Sequence, residues 1–217
     1  MLGPTLETER LILRPPIEGD LDGWEALAAD AEAMRYLGGV QPRASAWRGH
    51  AMMAGSWALH GFGMFAVIDK ASGHWIGRVG PWRPEGWPGT EIGWSLLRPF
   101  RGRGYAREAA AATMDWAVDA LGWSDIIHTI APDNVPSIAL AERLGSTYPS
   151  RRRSPIGPSA SGARPRPSGG RGVTLGRDGR TCRAIPAARR GTAGRVPRRR
   201  RAPRRGPASR PRARRCR

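Results

Sequence analysis

Lysine is almost missing from this 217-residue chain: Lys70 is the only one among 36 basic residues, and Ala71 follows it. A Walker-type phosphate loop needs Gly-Lys followed by Ser or Thr, so that class is excluded. Cysteine is absent from residues 1–150, which excludes a cysteine nucleophile there and suits a reducing compartment. Cys182 and Cys216 lack metal-ligand spacing, as do His50, His60, His74 and His128, so no metal is expected and the histidines receive no role. No apolar run approaches the roughly 18 residues of a membrane span, and no charged-then-apolar signal stretch opens the chain. Cytoplasm is the expected location, with no membrane partner.

Aromatic residues are distributed unevenly. All nine tryptophans lie before residue 150, and residues 151–217 hold no Trp, Tyr, Phe or Met. The charge divides at the same place. Residues 1–150 are net −4, whereas the following 67 residues carry 23 arginines against one acid, Asp178. The first part can bury a core; the second cannot.

Within the first part, the run Arg101-Gly102-Arg103-Gly104-Tyr105-Ala106 is the most informative. It follows a strand-like segment, Thr90 to Leu97, and opens a helix-like one, Tyr105 to Ala120. A glycine turn there leaves helix N–H groups unpartnered beside the positive end of the helix dipole, a cradle for an anion. An ordinary tight turn is the plainer reading. A dinucleotide fingerprint is disfavoured, because Arg107 stands where GxGxxG needs its third glycine.

Arg101, Gly104 and Ala106 match the pyrophosphate loop of the GNAT superfamily of acetyl-CoA-dependent N-acetyltransferases, and the chain resembles that family in four ordered segments. Glu91 to Leu96 resembles the strand before the loop. Asn134, Ser137 and Leu144-Gly145 resemble the second cofactor-contacting segment. Glu7 to Arg14 resembles the first strand of the branch that acetylates ribosomal-protein N-termini (RimJ/RimL-like). The resemblance covers roughly residues 6 to 146.

Apolar periodicity agrees with that layout. Strands are expected at Arg10 to Arg14, Met64 to Ile68, His74 to Val79, Thr90 to Leu97 and Ile126 to Ala131. Helices are expected after an N-cap at Asp20, from about Ala44 to Leu59, from Gly104 to about Leu121, and up to Gly145; Pro81 to Gly89 reads as a loop. The expected fold is α+β, a mixed, mostly antiparallel sheet flanked by helices. Family domains continue past the last helix into two more strands, and nothing resembling them follows Tyr148. The expected organisation is therefore a C-terminally incomplete domain over 6–149 and a disordered, Arg/Pro/Gly-rich tail over 150–217. Such an abrupt change inside a domain suggests translation of a GC-rich gene in the wrong frame; an in-frame homologous ending in the nucleotide sequence would exclude it.

The resemblance implies acetyl transfer from acetyl-CoA to a primary amine, of a protein N-terminus or a small molecule, with the acceptor unidentified. It puts the pyrophosphate on the backbone of Gly102 to Ala106, with charge-assisted contacts from Arg101 and Arg103, the latter equally readable as a solvated arginine. Pantetheine would lie along Trp94 to Leu97, where two strands splay apart, and the N–H of Leu96 or Leu97 would face the thioester carbonyl. Asn134 would bind the pantetheine amide or simply cap its helix. Ser137 would sit near the sulfur. Glu91 is the candidate base, unless it is an ordinary strand residue. Family members often place a tyrosine acid four residues after the serine; here Ala141 stands there, leaving Ser137 or water, with Tyr148 a weaker substitute. Trp75, Trp82, Trp87 and Trp94 are candidates for an acceptor pocket or for plain packing. Two rival readings remain: a nucleic-acid-binding protein acting through its tail, and an inactive remnant of the family.

Overall fold

A computed structural model of the chain describes residues 3–147 and 181–186. In chain order its elements are β1 (Leu6–Glu7), β2 (Leu11–Arg14), α1 (Leu21–Ala29), α2 (Ala31–Met34), α3 (Arg43–His60), β3 (Phe65–Asp69), β4 (Trp75–Trp82), β5 (Glu91–Leu96), α4 (Tyr105–Leu121), β6 (Asp125–Ile130), α5 (Val135–Arg143) and β7 (Thr181–Pro186). The strands form one seven-stranded sheet in the order β1 to β7. Pairing is antiparallel from β1 through β5 and parallel at β5–β6 and β6–β7. The expected mixed α+β sheet with flanking helices is what the chain forms.

Three apolar clusters hold the layers together. On one face, Ile76, Val79, Ile92 and Leu96 pack against Tyr105, Ala109, Ala110, Met114 and Ala117 of α4. The alanines let helix and sheet approach closely. On the other face, Trp24 of α1 and Met53 of α3 pack with Met64, Trp75 and Trp82. Beyond the middle of the sheet, Ile130, Ala141 and Ala184 form a smaller cluster with Trp94 and Ile138.

The elements depart from expectation in four places. Pro81 and Trp82 belong to β4, not to a loop. Leu97 N–H donates to Ile76 C=O, so β4 residues of even number bond β5 and Pro81 faces the β3 side. There β3 has not yet begun, and no ladder bond is lost. Asp20 does not cap α1 with its side chain. Its carboxylate instead grips Arg14 with two bonds, 2.7 and 2.8 Å, and accepts from Ile17 N–H. The short helix α2 was not anticipated; Asp30 caps it by accepting from the N–H groups of Glu32 and Ala33. Finally, no strand was expected beyond residue 149, yet β7 runs beside β6 over six residue pairs, and Thr147 exchanges backbone bonds with Cys182 and Ala184. The remainder of the expected tail, with Tyr148, Cys216 and the frame-shift reading, lies outside the described residues.

Candidate functional site

The turn from β5 to α4 is built by its glycines. Gly102 and Gly104 both adopt left-handed φ, 71° and 85°, where other residues are strained. Gly104 is the N-cap of α4 and offers no capping side chain. The first backbone donor of the helix to find an acceptor is Glu108 N–H, on Gly104 C=O. The N–H groups of residues 102 to 107 have no acceptor among the described residues. Consecutive free donors at a helix head form an anion cradle.

Neighbouring side chains brace this cradle from behind. Glu108 accepts from Thr8 Oγ1 at 2.6 Å, from Arg10 N–H at 2.9 Å and from Arg10 Nε at 2.7 Å. Arg10 also donates to Arg103 C=O. Tyr105 is buried, and its hydroxyl donates to Asp69; only its main chain is free for a ligand. Arg101 donates through Nε to Leu96 C=O at 2.9 Å and pairs with Asp30 at 2.8 Å. Its guanidinium is therefore spent on fixing the end of β5 to the helix pair below, which corrects the expected contact with pyrophosphate. Arg103 lies over the rings of Phe100 and Tyr105 on the surface, and its charge remains available.

Beside the cradle, β5 and β6 share a single register pair, Glu91↔Ile127, and then separate. Side chains take over where the ladder stops. Thr129 N–H donates to Glu91 Oε1 at 3.2 Å, and the His128 ring donates from Nδ1 to Ile92 C=O at 2.7 Å. Because that carbonyl can only accept, Nδ1 carries the proton and Nε2 accepts from Ser146 Oγ at 3.0 Å. His128 is fully buried, and burial pulls its pKa down to about 4 against the Ile92 bond. It is a neutral strut across the splay.

The two donors considered for the oxyanion separate cleanly. Leu97 N–H is committed to Ile76 C=O at 2.8 Å and points to β4, which corrects its assignment as a donor. By the alternation of the ladder, the main-chain groups of Trp94 and Leu96 face the splay. Asn134 caps α5, accepting from Ser137 N–H at 3.3 Å, and among the described residues its amide NH2 has no acceptor. Trp94 Nε1 donates to Ser137 Oγ at 3.3 Å, leaving the serine's own proton to point elsewhere. Ala141 is fully buried against Ile130 and Ala184, so its position is filled by packing.

Glu91 stands at the start of β5, only 7% exposed, and is not an ordinary surface residue. Trp87 Nε1 donates to its Oε2. Burial raises its pKa, opposed by the bonds from Trp87 and Thr129 and by the charge of Arg78. Of the four expected tryptophans, Trp75, Trp82 and Trp87 share its face of the sheet or its hydrogen bonds, while Trp94 lies on the other face. Arg78 and His128 were missed. Their signal was a polar residue inside an apolar strand, Ile-Gly-Arg-Val and Ile-Ile-His-Thr. Among the described residues no three His, Cys, Asp or Glu side chains gather as a metal site, and no helix is long and apolar enough to cross a membrane.

Residues 10–147 match the model of the acetyltransferase (GNAT) domain. The chain is 35% identical to an acetyltransferase of known crystal structure from Agrobacterium tumefaciens, covering 66% of this chain and 84% of that one with a TM-score of 0.62. It is 33% identical over 91 residues to the uncharacterised protein YkkB of Bacillus subtilis; the match takes in 41% of this chain and spans only 53% of that relative's length. The fold alone is shared with RimL, a ribosomal L7/L12 alpha-N-protein acetyltransferase solved in complex with coenzyme A, at 17% identity and a TM-score of 0.53 over 65% of this chain and 82% of that one. With its free amide cradle at the mouth of a splayed sheet and a family match over most of its described residues, the chain belongs to the GNAT family of acetyltransferases.

Proposed function

We propose that this chain transfers an acetyl group from acetyl-CoA to a primary amine by direct attack. The observation that carries this reading is the row of free N–H groups at residues 102 to 107, opening beside the gap between β5 and β6. Acetyl-CoA supplies the activated thioester. The cradle suits its pyrophosphate, with Arg103 adding charge at the rim. The gap-facing main chain of Trp94 and Leu96 suits the pantetheine amides, assisted by the free amide of Asn134.

Glu91 takes the proton of the acceptor ammonium, directly or through one water. The freed amine attacks the carbonyl carbon, and the Leu96 N–H stabilises the charge that develops on oxygen. As the N–C bond forms, the C–S bond breaks. The attacking nitrogen releases its second proton to water, and the departing sulfur receives one from Ser137 Oγ, which that water reprotonates; the one proton lost overall is the one Glu91 passes to solvent. Ser137 is oriented for this by the Trp94 indole, which occupies one of its lone pairs. The products are the N-acetylated amine and coenzyme A.

Calorimetric titration with acetyl-CoA, followed by an assay of thiol release over a panel of amines, tests the reading. One site per chain with amine-dependent thiol release supports it. A folded chain that does not bind acetyl-CoA, or binds it without transferring to any amine, overturns it.

A further inference from the structure

The face of the sheet that carries Glu91 holds a second group of polar atoms that the transfer chemistry does not use. A register shift in the β3–β4 pairing at Ile76 returns Trp75 to the same face as Arg78 and Trp82. Trp24 of α1 lies against Trp75 at 6.3 Å between ring centroids, and against His50 of α3 at 5.5 Å. The Arg78 guanidinium sits 4.7 Å above the Trp24 ring.

Four buried atoms in this group have no hydrogen-bond partner among the described residues: Trp24 Nε1, Trp75 Nε1, Arg78 Nε and His50 Nε2. Trp24 and His50 are 5% and 6% exposed. A buried polar group left unpaired is costly, and here the groups gather about the Trp24 ring. Both indole atoms and the guanidinium nitrogen can only donate, so what they lack is an acceptor. Burial pulls the Arg78 pKa down to about 10, against the pull of Glu91, so the group is charged at neutral pH. Among the described residues no ion pair neutralises it: Glu91 influences it through space but spends its own bonds on Trp87 and Thr129.

Arg78 and Glu91 lie on adjacent strands, opposite Ser95 and Trp82 respectively, with the Gly80–Gly93 pair between them. Neither glycine contributes a side chain, and the space over them is taken by Met64, whose Cε lies over Gly93, and by the Phe65 ring against Gly80. The face thus presents a positive group and a negative group at opposite ends of a step lined by Met64.

We propose that the acceptor is a free amino acid, whose carboxylate is received by Arg78 and the indole N–H groups of Trp24 and Trp75 while its ammonium faces Glu91. This rests on the acetyl-transfer reading above and names its substrate class. A protein N-terminus, which carries an amide where the free amino acid carries its carboxylate, leaves the positive end of the site without a partner. Met53, Met64 and Trp82 line the surroundings, which suits an apolar side chain.

The test is calorimetric binding of N-acetylmethionine and N-acetylphenylalanine, each compared with its carboxamide, in the presence and absence of coenzyme A. The free acids are expected to bind at least thirtyfold more tightly than the amides. In Arg78→Gln the preference should fall below threefold while coenzyme A still binds, and Arg78→Lys should restore part of it. Trp24→Phe, which keeps the ring but removes the donor, should weaken acid binding several-fold. Equal binding of acid and amide, no binding of either, or a preference that survives Arg78→Gln overturns the proposal while leaving acetyl transfer intact. A clear acid preference in a chain that transfers no acetyl group supports the carboxylate site and overturns the transfer reading instead.

Discussion

Burial raises the pKa of Glu91, and the donors of Trp87 and Thr129 with the charge of Arg78 hold that rise in check. A group of this kind is a base only where it has lost its proton, so activity is expected to fall as the pH drops through a value above the ordinary carboxylate range. Glu91→Gln should lower kcat about a hundredfold with acetyl-CoA affinity unchanged, and should abolish that acid limb of kcat/KM. An unaltered kcat, or a limb that persists in the variant, would show that another group or water takes the proton. His128 gives the opposite signature in stability rather than activity. Its folded pKa of about 4 lies below the ordinary value of 6.5, so in that window the unfolded chain binds the extra proton. Stability therefore rises with pH between about 4 and 6.5, and about 3 kcal/mol is lost as the pH falls through that window. His128→Gln, which cannot titrate there, should flatten that slope in denaturant melts taken at several pH values. Neither residue advertised this behaviour. A glutamate at a strand start reads equally as solvent-facing, and a histidine between an isoleucine and a threonine reads as filler; the burial that shifts both comes from strands distant in sequence.

At the scale of elements, the head of α4 concentrates the requirement for glycine. An alanine at Gly104 would have to hold φ near 85°, and its Cβ would approach Arg10 Nη2 at 3.2 Å. At Gly102 the φ is 71° but a Cβ meets nothing within 4 Å. Both substitutions incur the left-handed backbone cost of about 1–2 kcal/mol; only Gly104→Ala also disturbs the Arg10–Glu108 brace behind the free amides. Acetyl-CoA affinity should therefore drop at least tenfold in Gly104→Ala and clearly less in Gly102→Ala, as read by calorimetry. Equal losses would mean that the cradle depends on backbone conformation alone. This turn was the most legible element because its chemistry is local: glycines, a preceding strand and a following helix lie within about twenty residues. The Pro81–Trp82 end of β4 was not legible, since a proline reads as a strand breaker until it is known that β3 starts too late to need its N–H. The roles of Arg101 and Leu97 were obscured in the same way. Whether a donor is free for a ligand depends on partners such as Asp30 and Ile76, which the motif does not contain.

For the whole molecule, the question is how much of the arginine-rich C-terminal part the sheet requires. β7 covers β6 along its length, Ala184 is fully buried against Ile130 and Ala141, and Arg183 pairs with Asp125 at 2.9 Å. None of this was visible in composition, because a single strand of Cys-Arg-Ala-Ile character is lost among 23 arginines. Because β7 is a strand of the sheet, a chain ending after residue 187 should melt like the full protein and bind acetyl-CoA with the same affinity. One ending after residue 147 should be markedly less stable, since the apolar β6 edge and the buried Ala141 lose their cover. The same pair separates fold from charge. Residues 188–217 hold 14 arginines and no acid. The full chain should accordingly bind random duplex DNA at low salt, with log K falling by about 0.9 for each phosphate neutralised per unit of log salt. Removal of residues 188–217 should cut both the affinity and the slope while acetyl-CoA binding persists. DNA binding that survives this truncation undiminished would place the interaction elsewhere in the chain, and acetyl-CoA binding lost with it would make the basic segment part of the cofactor site.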